Sequence, residues 1–184
     1  MKWIFRNFVL LFCLIFICSC SFVASRIIPV KDIKTPTGEY AIGTKTYNWT
    51  DIERDEWFSE KEGDKRELVV QVWYPSIEVG NEKSPWQDYP FKRVKSIANS
   101  FQVPKFIAYA LDRVGTSSYI NSTPILNETF PVIIFSHGFE GFKTQNTTQI
   151  EELVSHGYIV FAVDHTYDAT LTIFPDGRKI ERAK

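Results

Sequence analysis

Residues 130–139 read FPVIIFSHGF and carry the strongest structural signal in the sequence. Its β-branched and aromatic run predicts a strand that is buried on both faces, at the centre of a parallel sheet covered by helices. Open α/β sheets bind ligands at the carboxyl ends of their strands, which is where Ser136, His137 and Gly138 form a turn. Because Gly138 has no side chain, a substrate can approach the chain there. We expect the backbone N–H of Phe139 to donate to a developing oxyanion, with His137 and Gly138 supporting the turn.

The sequence after this turn predicts a helix and a second strand. Residues 147–156 form the helix, and Gly157 is placed to stop it. Its apolar stripe consists of Ile150, Leu153 and Val154. Residues 158–163 form another continuous apolar strand, and the order strand, helix, strand predicts a right-handed parallel crossover.

Two polar residues follow this second strand, at the same edge of the sheet as the His-Gly turn. We expect Asp164 and His165 to line a substrate pocket, and the alternative is a hydrogen-bonded pair that only ends the strand. A zinc site formed by His137, Asp164 and His165 is a further alternative, since three protein ligands and a water make a catalytic zinc site. No H-E-x-x-H or comparable spacing supports it, and we predict neither a metal nor another cofactor.

Several motifs resemble the plasma-type platelet-activating factor acetylhydrolases, which are lipid esterases with the α/β-hydrolase fold. They are residues 68–75 (LVVQVWYP), 135–139 (FSHGF), 153–160 (LVSHGYIV) and 162–165 (AVDH). The resemblance covers about residues 38–174 and implies an α/β fold with a mostly parallel sheet and antiparallel edge strands. It also implies serine ester hydrolysis without a cofactor, with a phospholipid or another small ester as substrate.

The sequence departs from that family at the nucleophile. The serine of an α/β hydrolase lies in a G-x-S-x-G elbow, followed by an acid and a histidine, and residues 1–184 contain no such pentapeptide. We therefore expect an incomplete domain over residues 26–184, the amino-terminal part of the fold, with no catalytic residue of its own and only one oxyanion donor. Such a chain should be inactive by itself. The alternative is a non-catalytic exported or lipid-anchored binding protein that keeps half of the fold.

The remaining segments predict two further strands, two helices and a turn. Residues 39–47 and 68–74 alternate between apolar and polar, which predicts two antiparallel edge strands joined by a charged connection. Residues 91–101 and 104–114 carry helical apolar spacing, and the stripe of the second helix either packs in the core or faces lipid near the site. The sequence PDGR at residues 175–178 predicts a hairpin turn.

Residues 1–25 are typical of a signal peptide. A basic start precedes an apolar core at residues 8–18, which is short for a membrane span. Residues 17–20 (ICSC) resemble a bacterial lipobox with Cys20 as the lipidated residue, whereas residues 23–25 (VAS) suit ordinary signal peptidase; an uncleaved anchor is the third alternative. The first two predict an exported protein, either a lipoprotein on the membrane surface or a secreted one.

Charge and cysteine content exclude several classes of protein. The 21 Lys and Arg against 22 Asp and Glu give a formal net charge of -1, so no basic excess attracts nucleic acid. All 3 cysteines lie within residues 1–25, which leaves neither a disulfide nor a cysteine nucleophile in residues 26–184. Four N-x-S/T sequons are either glycosylation sites in a eukaryote or chance occurrences: Asn48, Asn121, Asn127 and Asn146.

Overall fold

The structure is a computed structural model that describes residues 6–7, 30–100 and 102–183. In chain order its strands and helices are β1 Ala41–Asp55, β2 Lys65–Ser76, α1 Pro90–Ser100, α2 Lys105–Ala110, β3 Ser118–Ile120, β4 Val132–Ser136, α3 Thr147–Ser155, β5 Ile159–Asp164, β6 Leu171–Ile173 and β7 Lys179–Glu181. A short 3₁₀ turn, Leu111–Arg113, continues α2. The predicted strand-helix-strand unit is therefore present as β4, α3 and β5.

One mixed sheet of five strands forms the centre of the fold, in the order β3-β1-β2-β5-β4. Strand β2 pairs antiparallel with both β1 and β5. Strand β1 pairs parallel with β3, and β5 pairs parallel with β4. All the strands except β2 therefore run in one direction, which confirms the mostly parallel α/β sheet implied by the resemblance.

The first two strands are inner strands, so the prediction that they lie at the edge is wrong. Strand β3 covers the outer edge of β1, and β2 lies in the middle of the sheet. Residues 69–73 of β2 are all buried, on both faces of the strand. Both strands also extend into the charged connection, as far as Asp55 and from Lys65. The alternation of apolar and polar residues could not show this position, because it depends on the three-residue strand β3.

Strand β4 lies at the edge of the sheet, which corrects the prediction of a central strand buried on both faces. Val132 is 58% exposed and Ile134 is 76% exposed, while Ile133 and Phe135 pack against the core. Among the described residues, no strand pairs with the outer edge of β4. An apolar run does form a strand, but which of its faces are covered depends on what packs against it.

Helix α3 connects β4 to β5 and packs against one face of the sheet. Its Ile150 and Val154 are buried in one cluster with Trp73 and Val160. Gly157 ends the helix with φ +87°, a left-handed conformation that glycine adopts without steric cost. The predicted crossover helix and its glycine stop are confirmed.

The two remaining helices and the hairpin also follow the prediction. Helices α1 and α2 pack against each other through Val94, Ile97, Ala98 and Ala108, with Leu111 beside them. Strands β6 and β7 pair antiparallel around the predicted turn, where Gly177 has φ +89°. Within the described residues, no helix is long and apolar enough to cross a membrane. Cys20 and both predicted cleavage sites lie outside the described residues.

Candidate functional site

The carboxyl ends of β4 and β5 form the candidate site. These strands pair parallel with Ser136 opposite Val163, so the turn after β4 lies beside His165 after β5. The rings of His137 and His165 meet edge to face, with 5.1 Å between their centroids. The structure thus brings together His165 and the three residues that the sequence assigned to an oxyanion hole.

Two hydrogen bonds determine the tautomer of His137. The backbone N–H of His165 donates to Nε2 of His137 at 3.2 Å, so this nitrogen is an acceptor and carries no proton. We therefore assign the ring proton to Nδ1, which donates to the carbonyl oxygen of Gly138 at 2.8 Å. His137 thus connects the end of β5 to the turn after β4.

The carbonyl of Gly138 is held from two sides, because the N–H of Gly141 also donates to it at 2.8 Å. A peptide group is planar and trans, so its C=O and the following N–H point in opposite directions. Holding the Gly138 oxygen therefore fixes the direction of the Phe139 N–H. That N–H has no hydrogen-bond acceptor among the described residues, and Phe139 is 79% exposed. The turn accordingly presents one oriented, unused donor to solvent.

The glycine that this turn requires is Gly141. A Cβ atom on Gly141 would lie 2.9 Å from the Gly138 oxygen and 2.9 Å from Cβ of His137, closer than real Cβ contacts. A Cβ atom on Gly138 would meet nothing within 4 Å. Folding therefore does not require glycine at position 138, and the space in front of it is open. The role of Gly141 was not evident from the sequence, although its place in the run SHGFEGF was a signal.

Ser136 and His165 form a second polar contact at this edge, with 2.7 Å between Oγ and Nε2. Burial lowers the pKa of His165, the neighbouring His137 and Arg66 lower it further, and the carboxylates of Asp168 and Asp164 oppose the shift. The ring is therefore neutral at pH 7 and can accept a proton. However, Nδ1 of His165 has no hydrogen-bond acceptor among the described residues. The pair lacks the third group that orients the base of a catalytic triad.

Asp164 takes part in a buried network of four charged side chains. Its carboxylate accepts hydrogen bonds from the backbone N–H of Lys143 at 2.6 Å, from Nζ of Lys143 at 3.1 Å and from Nη2 of Arg93 at 3.1 Å. Asp88 closes the network, 2.7 Å from Nζ of Lys143 and 2.6 Å from Nε of Arg93. Burial by itself would raise the pKa of Asp88, but Lys143 and Arg93 outweigh it and hold that pKa well below its usual range.

This network ties the segment after the turn to the rest of the domain. Lys143 lies two residues after Gly141, Arg93 belongs to α1, and Asp164 ends β5. Arg93 also donates to the carbonyl of Leu171 in β6. This cluster was not evident from the sequence, where its one signal was a charged Arg93 beside the apolar stripe of α1.

The other predictions for the site stay predictions. Nothing in the structure tests whether Asp164 or His165 lines a substrate pocket, and Asp164 uses its carboxylate in the buried network. Within residues 30–100 and 102–183, no group of three His, Cys, Asp or Glu side chains is placed to hold a metal ion. The zinc alternative built on His137, Asp164 and His165 therefore has no geometric support.

The mixed sheet and its β4–α3–β5 crossover define the class, an α/β fold. A solved ferulic acid esterase from Streptomyces cinnamoneus is similar, with a TM-score of 0.67 and 30% sequence identity. The match covers 83% of this chain and 41% of that chain. The family model described as "Platelet-activating factor acetylhydrolase, isoform II" matches residues 27–181. The chain therefore belongs to this family.

Two curated relatives agree with the family model. A platelet-activating factor acetylhydrolase from Canis lupus familiaris is 30% identical over 99 residues, and one from Bos taurus is 29% identical over 99 residues. Each match covers 52% of this chain but 22% of the relative. The aligned part thus spans about a fifth of the length of these relatives.

Proposed function

We propose that the protein is a carboxylic ester hydrolase of the platelet-activating factor acetylhydrolase type, acting on short-acyl phospholipids related to platelet-activating factor. Its family and its likeness to a solved esterase support this proposal. The observation that carries it is the oriented N–H of Phe139, which has no acceptor among the described residues. A free donor at the carboxyl end of a strand is what ester hydrolysis needs for its oxyanion.

In the proposed reaction a serine oxygen attacks the ester carbonyl and forms a new C–O bond, while a histidine takes the serine proton. The carbonyl oxygen becomes an oxyanion, and the Phe139 N–H donates to it. When the C–O bond to the alcohol breaks, the histidine returns the proton to the leaving oxygen. Water then hydrolyses the acyl-serine by the same steps. His137 and Gly141 contribute by holding the Gly138 carbonyl, which keeps the donor in place.

The nucleophile, its acid and its histidine lie outside residues 1–184 in this proposal, because these residues contain no G-x-S-x-G elbow. The second oxyanion donor is then also missing, since the family places it on the residue after the nucleophile. Loss of one donor typically costs about 10²–10³ in turnover. Residues 1–184 by themselves are therefore inactive, and residues 26–184 form only part of the hydrolase domain.

Export is a further part of the proposal. The segment of residues 1–25 directs the protein out of the cytoplasm, and the protein is either secreted or held at the membrane surface through a lipid on Cys20. Replacing Cys20 with Ser in a bacterial host then abolishes the incorporation of labelled palmitate. Unchanged labelling would exclude lipidation at Cys20.

The decisive test of function begins with the coding DNA beyond codon 184, read for an in-phase or frameshifted G-x-S-x-G. The protein that includes this elbow is then compared with its Gly138→Val and Phe139→Leu variants on p-nitrophenyl acetate. Because a Cβ on Gly138 meets nothing within 4 Å, the valine leaves folding intact and fills the space in front of the donor. Turnover falls by about 10² or more while KM changes little. Phe139→Leu keeps the amide and is much milder.

Three results would contradict the proposal. If both variants keep full turnover and an unchanged circular dichroism spectrum, the oxyanion assignment is wrong. The 184-residue chain is also treated with a fluorophosphonate probe, and we expect no labelling above a heat-treated control. Labelling that disappears in Ser136→Ala would place the nucleophile at the contact between Ser136 and His165. If the DNA contains no elbow, the non-catalytic binding protein is the better explanation.

A further inference from the structure

A strained residue lies in the turn that carries the oxyanion donor. Glu140 has φ +58°, a left-handed conformation that residues other than glycine seldom adopt. The N–H of Gly141 donates to the carbonyl of Gly138, so residues 138–141 form a four-residue turn with Glu140 in its third position. A positive φ at this position is the pattern of a type II turn, which normally has Gly or Asn there. A residue with a side chain keeps such a conformation only where its surroundings hold it.

Thr170, in the segment between β5 and β6, holds the main chain of this turn. Its Oγ1 donates to the carbonyl of Glu140, and its backbone N–H donates to the carbonyl of Gly141 at 3.1 Å. Two consecutive carbonyls of the turn are therefore bound to one residue. The proposed reaction itself does not use Thr170.

Two planar peptide groups connect the Thr170 hydroxyl to the donor. In a trans peptide the C=O and the following N–H point in opposite directions. The bond from Thr170 to the Glu140 oxygen therefore fixes the direction of the Gly141 N–H, which donates to the Gly138 oxygen at 2.8 Å. That second bond in turn fixes the direction of the Phe139 N–H. The direction of the oxyanion donor thus depends on a side chain that lies outside the turn.

The segment after β7 contacts this turn and the neighbouring one. Nε of Arg182 lies 2.9 Å from Oε1 of Glu140, so the strained residue is also held through its side chain. The N–H of Ala183 donates to the carbonyl of Tyr167 at 2.8 Å. Tyr167 likewise has a positive φ, +71°, in the turn formed by residues 165–168. Glycine would fit position 140 without strain, but it would lose the carboxylate that pairs with Arg182.

We propose that Thr170 and Arg182 are positioning residues for the oxyanion donor. They hold Glu140 in its left-handed conformation and thereby keep the Phe139 N–H directed at the substrate oxygen. Thr170 acts on the backbone of the turn, and Arg182 acts on the side chain of Glu140. The inference rests on the proposed function, because a directed donor matters for turnover only if an oxyanion forms.

The first experiment measures no hydrolysis and uses the 184-residue chain. Amide hydrogen exchange reports the hydrogen bond of the Gly141 N–H, and the nitrogen-15 order parameter of Phe139 reports how firmly the donor is held. Thr170→Val keeps the shape of the side chain and removes its hydroxyl, so exchange at Gly141 should become about tenfold faster and the order parameter should fall. Thr170→Ser keeps the hydroxyl and should change neither. Arg182→Gln should speed exchange by up to about fivefold, since a partly exposed ion pair contributes less.

Two matched controls separate positioning from a general loss of stability. Thr44→Val also removes a hydroxyl that donates to a backbone carbonyl, that of Val72, but it lies in β1, which two strands separate from β4. Arg54→Gln removes a surface ion pair with Asp51. Because the Gly141 amide exchanges through local opening of its own turn, neither control should change its exchange rate. Circular dichroism confirms that each variant is folded.

The second experiment uses the protein that includes the G-x-S-x-G elbow, with p-nitrophenyl acetate as substrate. Thr170→Val should lower kcat about tenfold with KM nearly unchanged, because a misdirected donor weakens binding of the transition state and not of the ground state. Thr170→Ser should keep the kcat of the unchanged protein.

Three outcomes would overturn the proposal: both NMR measurements unchanged in Thr170→Val and Arg182→Gln, equal changes in Thr44→Val, or an unchanged kcat in Thr170→Val although exchange at Gly141 is faster. A failure of the proposed esterase function is distinguishable from these. If the NMR changes occur but the protein with its elbow hydrolyses no ester, the turn is held as inferred and the esterase function is wrong.

Discussion

Replacing Asp164 with Ala should cost a large part of the stability of the domain. The carboxylate is fully buried and accepts three hydrogen bonds, from the backbone and side chain of Lys143 and from Arg93. Without it, two buried cations share the single carboxylate of Asp88, and the N–H of Lys143 loses its acceptor. Removing one partner of a buried ion pair costs about 3–5 kcal/mol, compared with a total of about 5–15 kcal/mol for a typical domain.

Urea unfolding followed by circular dichroism measures this loss. The matched control is Asp176→Ala, because Asp176 pairs with Arg178 at the surface, where both side chains are about half exposed. Such a surface pair contributes about 0–1 kcal/mol. Asp164→Asn keeps an acceptor for the N–H of Lys143 but removes the charge, so it should lie between the two. If Asp164→Ala and Asp176→Ala lose the same small amount, the network does not stabilise the fold as we infer.

Three further predictions concern the site and the edge of the sheet. Since burial holds the pKa of His165 below its ordinary value of 6.5 in the folded state, the unfolded chain binds the proton more tightly. Stability should therefore fall as the pH drops from about 8 to about 5, and His165→Gln should remove this slope in urea titrations. For His137, nitrogen-15 NMR at neutral pH should find the proton on Nδ1, and a proton on Nε2 would contradict the assigned hydrogen bonds. At the sheet edge, Ile134→Lys should reduce the self-association of the chain measured by sedimentation, and it should change the free energy of unfolding by no more than about 0.5 kcal/mol. The control is Ile52→Lys on the β1–β2 hairpin, where the residue is equally exposed, and this variant should leave self-association unchanged.

Much of the fold could be predicted because its signals are local. The apolar runs before His137 and before Asp164 predicted β4 and β5, and the helical stripe with Gly157 predicted α3. These signals report the periodicity of one segment. Burial of β4 was predicted wrongly because it depends on a neighbour on its outer side, which the apolar run itself does not reveal.

The candidate site was predictable to a smaller extent. The order of residues 136–139 indicated the oxyanion turn, because a polar turn after an apolar strand reaches the ligand edge of a sheet. The network of Asp88, Arg93, Lys143 and Asp164 was not predictable, since it joins three segments that are far apart in sequence and each residue alone looks like a surface charge. The tautomer of His137 likewise depends on a backbone N–H 28 positions away.

The backbone N–H of Phe139 and the side chain of Phe139 have separate roles. The donor belongs to the main chain and is positioned by Gly138, His137 and Gly141. The side chain of Phe139 instead projects outward, where its ring contacts the guanidinium of Arg182 at 5.0 Å. In a hydrolase built on this turn, evolution can therefore exchange the side chain at position 139 and reshape substrate preference without altering the donor. A saturation library at this one codon would sample selectivity while the reaction machinery stays constant.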